Sequence, residues 1–128
     1  MGDNVRYWLE LAEYDLETAE AMLQTERYLY VGFMCHQSAE KILKAFFLKT
    51  KSETVPYTHS LAFLVKLTNL DNSLPEELEN LLDDLEPLNT EARYPSYKDK
   101  LLADLNKSKC EQLLTQTKQF IAWIKKKL

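Results

Sequence analysis

The chain has 128 residues and a formal net charge of -4, and 45% of its residues are apolar and 28% charged. With only 2 glycines and 4 prolines it has few turn-forming residues, which favours long helices. A chain of this size can build one apolar core and not two, so we expect a single domain over residues 1–128. The net acidity argues against non-specific duplex binding, which needs a strongly basic face.

The chain offers no pattern typical of membrane insertion or export. Its longest apolar run, Tyr28 to Cys35, is much shorter than the roughly 20 residues that cross a bilayer. The first residues are acidic where a signal peptide would be basic and then apolar. We therefore expect a cytoplasmic protein that makes no membrane contact. Cys35 and Cys110 form no Cys-x-x-Cys pair, so we expect free thiols.

Acidic and basic segments alternate along the chain. The net charge is -5 over residues 1–29, +3 over 30–70, -8 over 71–92 and +6 over 93–128. Antiparallel helices would compensate these charges between neighbours. The alternative is a basic strip, built from the second helix and the C-terminal third, that faces an anionic partner.

The first segment predicts an amphipathic helix capped at its N-terminus by Asp3 or Asn4. Its main apolar stripe contains Trp8, Ala12, Leu16, Ala19 and Leu23. A second stripe of Tyr7, Leu11 and Tyr14 makes the apolar face wide enough for two neighbours, one of which could be a second subunit.

A second helix is predicted between Leu29 and Lys49, where apolar residues recur at steps of three and four. Gln37, Lys41 and Lys44 form a polar stripe on this helix. The polar residues 50–58, which include Pro56, predict a loop.

Three more helices are predicted after this loop. A short one follows from Leu61, and the Ser73-x-x-Glu76 pattern is typical of a capping box that begins the fourth. Pro87 predicts a kink or a restart because it cannot donate a backbone N–H. The fifth helix is expected from about Asp104 to Leu128.

Five helices, four long and one short, predict an all-α, up-and-down helical bundle in which the first and last helices pack together. No Gly-rich phosphate loop is present in the sequence, so phosphate binding would need side chains or helix N-termini. His36 and Glu40 have helical i, i+4 spacing but lack a third ligand, so no metal and no cofactor is expected. His36 is expected to donate a hydrogen bond at a half-buried position or to pair with Glu40, and His59 is expected to bond within its loop.

Arg93 is a candidate anion-binding residue. It lies in Ala92-Arg93-Tyr94-Pro95, directly after the acidic segment, and its planar guanidinium suits a phosphate or a carboxylate. The alternative is an internal role, as a partner of one of the preceding acids or as a cap of the fourth helix.

Three segments resemble the HEPN family. Residues 33–46, which read Phe-Met-Cys-His-Gln-Ser-Ala-Glu-Lys-Ile-Leu-Lys-Ala-Phe, are similar to its second-helix signature. Thr58-His59-Ser60-Leu61 is similar to its loop-to-helix element, and Ala92-Arg93-Tyr94-Pro95 to the exit from its fourth helix. The resemblance implies a small prokaryotic helical bundle that forms homodimers and is encoded beside a minimal nucleotidyltransferase. Such members act as RNA-cleaving toxins or as nucleotide-binding accessory subunits.

One departure from the family weakens the enzymatic interpretation. The ribonuclease branch carries an Arg followed four to six residues later by a His, and no His follows Arg93 in this chain. Without that imidazole the cleavage has no evident general acid or base, so enzymatic activity stays open, with Arg93, His36 and His59 as weak catalytic candidates.

Our leading hypothesis is a HEPN-type module that binds a nucleotide, a nucleic acid or a partner nucleotidyltransferase in a toxin–antitoxin-like pair. The candidate ligand-binding residues are Arg93, Tyr94, Tyr97, Lys41, Lys44 and Gln37. One alternative is a divergent ribonuclease toxin. Another is a structural interaction protein whose acidic residues 71–92 dock a basic partner.

Overall fold

The computed structural model describes residues 2–91 and 98–128, and every regular element within them is helical. The first elements are α1 (Asp3–Gln24), α2 (Tyr28–Lys51), α3 (Leu61–Leu67) and one turn of 3-10 helix (Leu70–Asn72). They are followed by α4 (Glu76–Leu85), α5 (Leu88–Glu91), α6 (Lys98–Asp104) and α7 (Lys107–Lys125). The all-α bundle that the sequence predicts is confirmed.

The long helix α2 is the axis of the bundle. It packs along α1, crosses α7, and also contacts α3, α4, α5 and α6. Gly32 permits one close approach, because a Cβ at this position would lie 2.6 Å from the Leu88 side chain of α5. α1 also packs against α7, as the sequence predicts for the two end helices.

The core consists of the apolar stripes of α1, α2, α3, α4 and α7. Leu43, Leu113 and Phe120 have no solvent-exposed surface. Burying a side chain of this kind stabilises the folded state by roughly 1.5–3 kcal/mol. Within the described ranges, no helix has the length and apolar character needed to span a membrane.

Pro87 separates two helices as the sequence predicts, since α4 ends at Leu85 and α5 begins at Leu88. The predicted capping box is wrong. α4 begins at Glu76 with Pro75 in the N-cap position and has no side-chain cap. Ser73 instead closes the preceding 3-10 turn, where its N–H donates to the carbonyl of Leu70 over 3.0 Å.

Two other predicted helix starts also differ from the structure. α1 begins at Asp3 with Gly2 in the N-cap position, so neither predicted residue caps it. α7 begins at Lys107 and not near Asp104, because the Asn106 side chain accepts a hydrogen bond from the Lys109 N–H and caps a new helix there.

Candidate functional site

A buried ion pair lies on the inner face of α2. The Glu40 carboxylate is only 3% exposed, and Lys44 follows it one helical turn later with 6% exposure. The Lys44 Nζ donates to Glu40 Oε2 over 2.9 Å. The same ammonium lies 5.4 Å from the ring centroid of Trp8 on α1. A buried charge is costly unless it is paired, so Lys44 supplies the counter-charge that a carboxylate at this depth requires.

The second oxygen of Glu40 holds His59, which lies in the loop before α3. The distance from His59 Nδ1 to Glu40 Oε1 is 2.9 Å. A carboxylate oxygen is the acceptor in this contact, so His59 Nδ1 is assigned as the donor and carries a hydrogen. The His59 side chain is 43% exposed. The structure therefore combines a buried carboxylate with an imidazole that reaches solvent.

An exposed aromatic ring accompanies this imidazole. Tyr57 is 98% exposed, and its ring centroid lies 5.9 Å from that of His59 in an edge-on arrangement. A solvated tyrosine ring and an imidazole side by side can stack on a flat ligand group and hydrogen-bond to a polar one.

His36 lies deeper than the sequence predicts. It is completely buried, whereas its position in the sequence predicts a half-buried side chain. Its Nδ1 is 4.0 Å from Glu40 Oε1 and its Nε2 is 3.9 Å from Glu86 Oε1. Glu86 in turn accepts hydrogen bonds from the N–H groups of Leu61 (2.9 Å) and Ala62 (3.0 Å) at the start of α3. The expectation that His59 would bond within its loop is also wrong, because its Nδ1 faces Glu40 of α2.

The polar stripe of α2 has internal partners. Lys41 forms an ion pair with Asp15 of α1, which is itself buried. Gln37 Nε2 donates to the side-chain oxygen of Asn89 over 2.8 Å. Together with the Lys44 pair, these contacts compensate the positive charge of the stripe inside the molecule. Ligand binding by Gln37, Lys41 and Lys44 stays a prediction.

The remaining candidates, Arg93, Tyr94 and Tyr97, lie outside the described residues.

The two cysteines are buried and free. Burial raises the pKa of Cys35 to about 12 and that of Cys110 to about 11, so both thiols are protonated near neutral pH and are poor nucleophiles. Among the described residues, no group of three or more His, Cys, Asp or Glu side chains could hold a metal ion.

The sequence relates Glu40 to His36, as a second metal ligand or as a direct partner, and does not link it to His59. The i, i+4 spacing of Glu40 and Lys44 is a signal for their ion pair, because side chains four apart on a helix are neighbours. No local signal connects Glu40 to His59, which lies 19 positions later in a loop.

The structure defines a small all-helical module whose polar centre joins the second helix to the loop before the third. A family model for the HEPN domain matches residues 5–128, so the chain belongs to the HEPN family. Among solved structures, the chain is similar to TT1696 from Thermus thermophilus, with a TM-score of 0.83 and 25% identity. The match covers 99% of this chain and 100% of that one. No curated protein matches the chain.

Removing one partner of the buried ion pair should destabilise the fold. We expect Lys44→Met to lower the free energy of unfolding by about 3 kcal/mol, because it leaves the buried Glu40 charge without its cation. The double variant Glu40→Gln/Lys44→Met should return to within about 1 kcal/mol of the wild type. Urea denaturation measures each value.

A matched control for this measurement is Lys118→Met, which breaks an exposed pair with Glu20 whose side chains are both 47% exposed. This loss should stay below about 1 kcal/mol. Equal losses for Lys44→Met and Lys118→Met would contradict the assignment of Lys44 as the counter-charge of Glu40.

The hydrogen bond to Glu40 also predicts the tautomer of His59. Long-range proton–nitrogen correlation spectra at a pH where the ring is neutral should show the hydrogen on Nδ1. In Glu40→Ala the preference should disappear, because the acceptor is gone. A wild-type ring that carries its hydrogen on Nε2 would rule out the donor role of Nδ1.

Proposed function

We propose that this HEPN protein binds a nucleotide or a short RNA segment and does not turn it over. The observation that carries the proposal is the half-exposed imidazole of His59. Its Nδ1 contacts the carboxylate of the Glu40–Lys44 pair, and the exposed ring of Tyr57 lies beside it. A nucleotide offers a flat base for an aromatic ring and polar sugar and phosphate groups for an imidazole.

The sequence supplies further groups that suit the same ligand. Arg93 provides a guanidinium for phosphate, and Tyr94 and Tyr97 are additional aromatic rings close to it in the chain. Because Lys41 and Lys44 are each paired with a carboxylate, the proposal relies on Arg93 and not on these lysines for positive charge.

Titration calorimetry with ATP and with a short single-stranded RNA tests the proposal. We expect measurable binding of one of these ligands by the wild type. His59→Ala and Arg93→Ala should each weaken it by about tenfold or more, a loss of roughly 1.4 kcal/mol or more. Lys118→Met, a surface variant on α7, should bind like the wild type. Absence of binding by the wild type for both ligands would refute the proposal.

Incubation of the same RNA with the protein tests a second candidate function, that of a divergent ribonuclease. That function is favoured by the carboxylate behind His59, since an oriented imidazole can act as a general base. If the RNA is degraded without added metal, and His59→Ala abolishes the degradation while Lys118→Met does not, the protein is an enzyme. Intact RNA after prolonged incubation excludes this alternative.

We further propose that the protein acts in the cytoplasm beside a minimal nucleotidyltransferase, in a toxin–antitoxin-like pair, and that it forms a homodimer. Support for the homodimer comes from exposed tyrosines of α1 and α2. Tyr7 is 58% exposed, Tyr14 68% and Tyr30 48%. An open, largely apolar groove of about 540 Å³ next to Tyr30 includes Met22 and Met34. Tyrosine and methionine are enriched in the cores of protein interfaces.

Light scattering tests the homodimer. The wild type should have twice the mass of the chain, and Tyr14→Glu should reduce this mass toward that of one chain because it places a charge in the apolar interface. Tyr57→Glu, a matched change at an exposed tyrosine in the loop before α3, should stay dimeric. A monomeric wild type at high concentration would contradict the homodimer.

A further inference from the structure

A narrow cleft lies between α3 and α4, apart from His59 and its carboxylate. Its volume is about 160 Å³. The floor is apolar and consists of Ala62 and Val65 from α3, Leu74 from the connection, and Leu82 from α4. The two helices thus present an apolar depression to solvent.

The rim of this cleft is acidic. Asp71, Glu79 and Asp83 line it, and none of them forms an ion pair with the described residues. Glu86 also lines the cleft but is occupied with the N–H groups of α3. Lys66 is the one basic residue among the described residues that line the cleft.

Several other surface acids have partners on α7. Asp84 is paired with Lys109 at 3.2 Å. Glu20 and Glu13 are paired with two further lysines of this helix, Lys118 at 3.4 Å and Lys125 at 3.1 Å. Lysines of α7 therefore neutralise the charge of these three acids. Asp71, Glu79 and Asp83 around the α3–α4 cleft have no such partner among the described residues.

The size and spacing of the cleft indicate the kind of occupant. Small-molecule pockets usually measure about 300–1,000 Å³, so about 160 Å³ suits one long side chain better than a whole nucleotide. Glu79 and Asp83 of α4 and Glu86 at its C-terminal cap follow each other at steps of four and three and thus form one stripe. A partner helix with basic residues at the same steps would match this stripe.

We propose that the α3–α4 cleft docks a basic helical segment of a partner protein. One Arg or Lys side chain lays its aliphatic stem on the apolar floor, and its charged head meets Asp71, Glu79 and Asp83. The proposal rests on the partner-protein part of the proposed function and is independent of nucleotide binding.

Two other occupants fit less well. The uncompensated carboxylates would repel the phosphates of a nucleic acid. Two of the three C-terminal lysines of a second copy are engaged within their own chain, since Lys125 pairs with Glu13 and Lys127 lies 4.6 Å from the Trp123 ring centroid.

The test uses fluorescence anisotropy with a labelled synthetic helix of about 18 residues, made of Ala, Leu and Arg, with the arginines at steps of four and three. The control peptide has glutamates in place of the arginines. We expect the wild type to bind the basic helix, to ignore the acidic one, and to lose affinity as salt rises. No binding of the basic helix by the wild type would overturn the proposal.

Two protein variants separate the contributions of the cleft and its rim. Ala62→Trp fills the cleft and keeps every charge, and Glu79→Gln/Asp83→Asn removes rim charges and keeps the floor. Each should lower affinity for the basic helix by about tenfold or more, which is about 1.4 kcal/mol. The matched control Glu10→Gln/Glu17→Gln removes two exposed acids of α1 and should have no effect.

The pattern of losses decides the outcome. Equal losses in the α1 control would show non-specific attraction, and wild-type affinity in Ala62→Trp would show that the cleft is not used; either result overturns the proposal. A change of mass by light scattering in Ala62→Trp would point to a second copy as the occupant and would also overturn it. Thermal melting checks that each variant is folded. The peptide assay contains no nucleotide. It therefore tests the docking proposal even if the nucleotide titrations show no binding.

Discussion

The internal carboxylate of Glu40 is the constraint on which the polar interior of this molecule depends. It lies at the centre of a long buried helix, where a lone charge would be strongly unfavourable. Lys44 of the same helix neutralises it, and His59 from the loop before α3 contacts its other oxygen. Glu40 thereby ties this loop to the central helix and fixes the orientation of an imidazole at the surface.

The same pairing of charges explains which surfaces are available to ligands. α2 is surrounded by other helices, and two of its lysines pair with carboxylates within the bundle, Lys41 with Asp15 and Lys44 with Glu40. Three lysines of α7 meet acids of α1 and α4 at the surface. Asp71, Glu79 and Asp83 at the α3–α4 cleft form no such pair with the described residues. Lys66 of α3 is the one basic residue among the described residues that line this cleft. Lysines of α2 and α7 therefore neutralise some of the acidic residues of the chain through ion pairs. The acidic residues at the rim of the cleft are not neutralised in this way.

These two regions suit different partners. The surface at His59 combines a hydrogen-bonding ring with an exposed tyrosine, and the proposal of nucleotide binding rests on this pair. The cleft is small and has both apolar and acidic lining residues, and the proposal of a basic protein side chain as its occupant rests on these properties. The two proposals are compatible with each other, since the two regions use different residues.

The amino-acid sequence by itself determined the helical class, the family, the loop after α2 and the break at Pro87, because these depend on local periodicity, short motifs and the missing N–H of proline. It identified His59 and Glu40 as separate residues but not as a pair. It also proposed Lys41 and Lys44 as ligand-binding residues, which stays a prediction, and it did not reveal that each of them pairs with a carboxylate. Ser73 does not cap α4 because the helix begins at Glu76, with Pro75 in the N-cap position. Only the tertiary structure decided these points, since charge pairing and burial depend on residues that are distant in the chain and become neighbours when the helices pack.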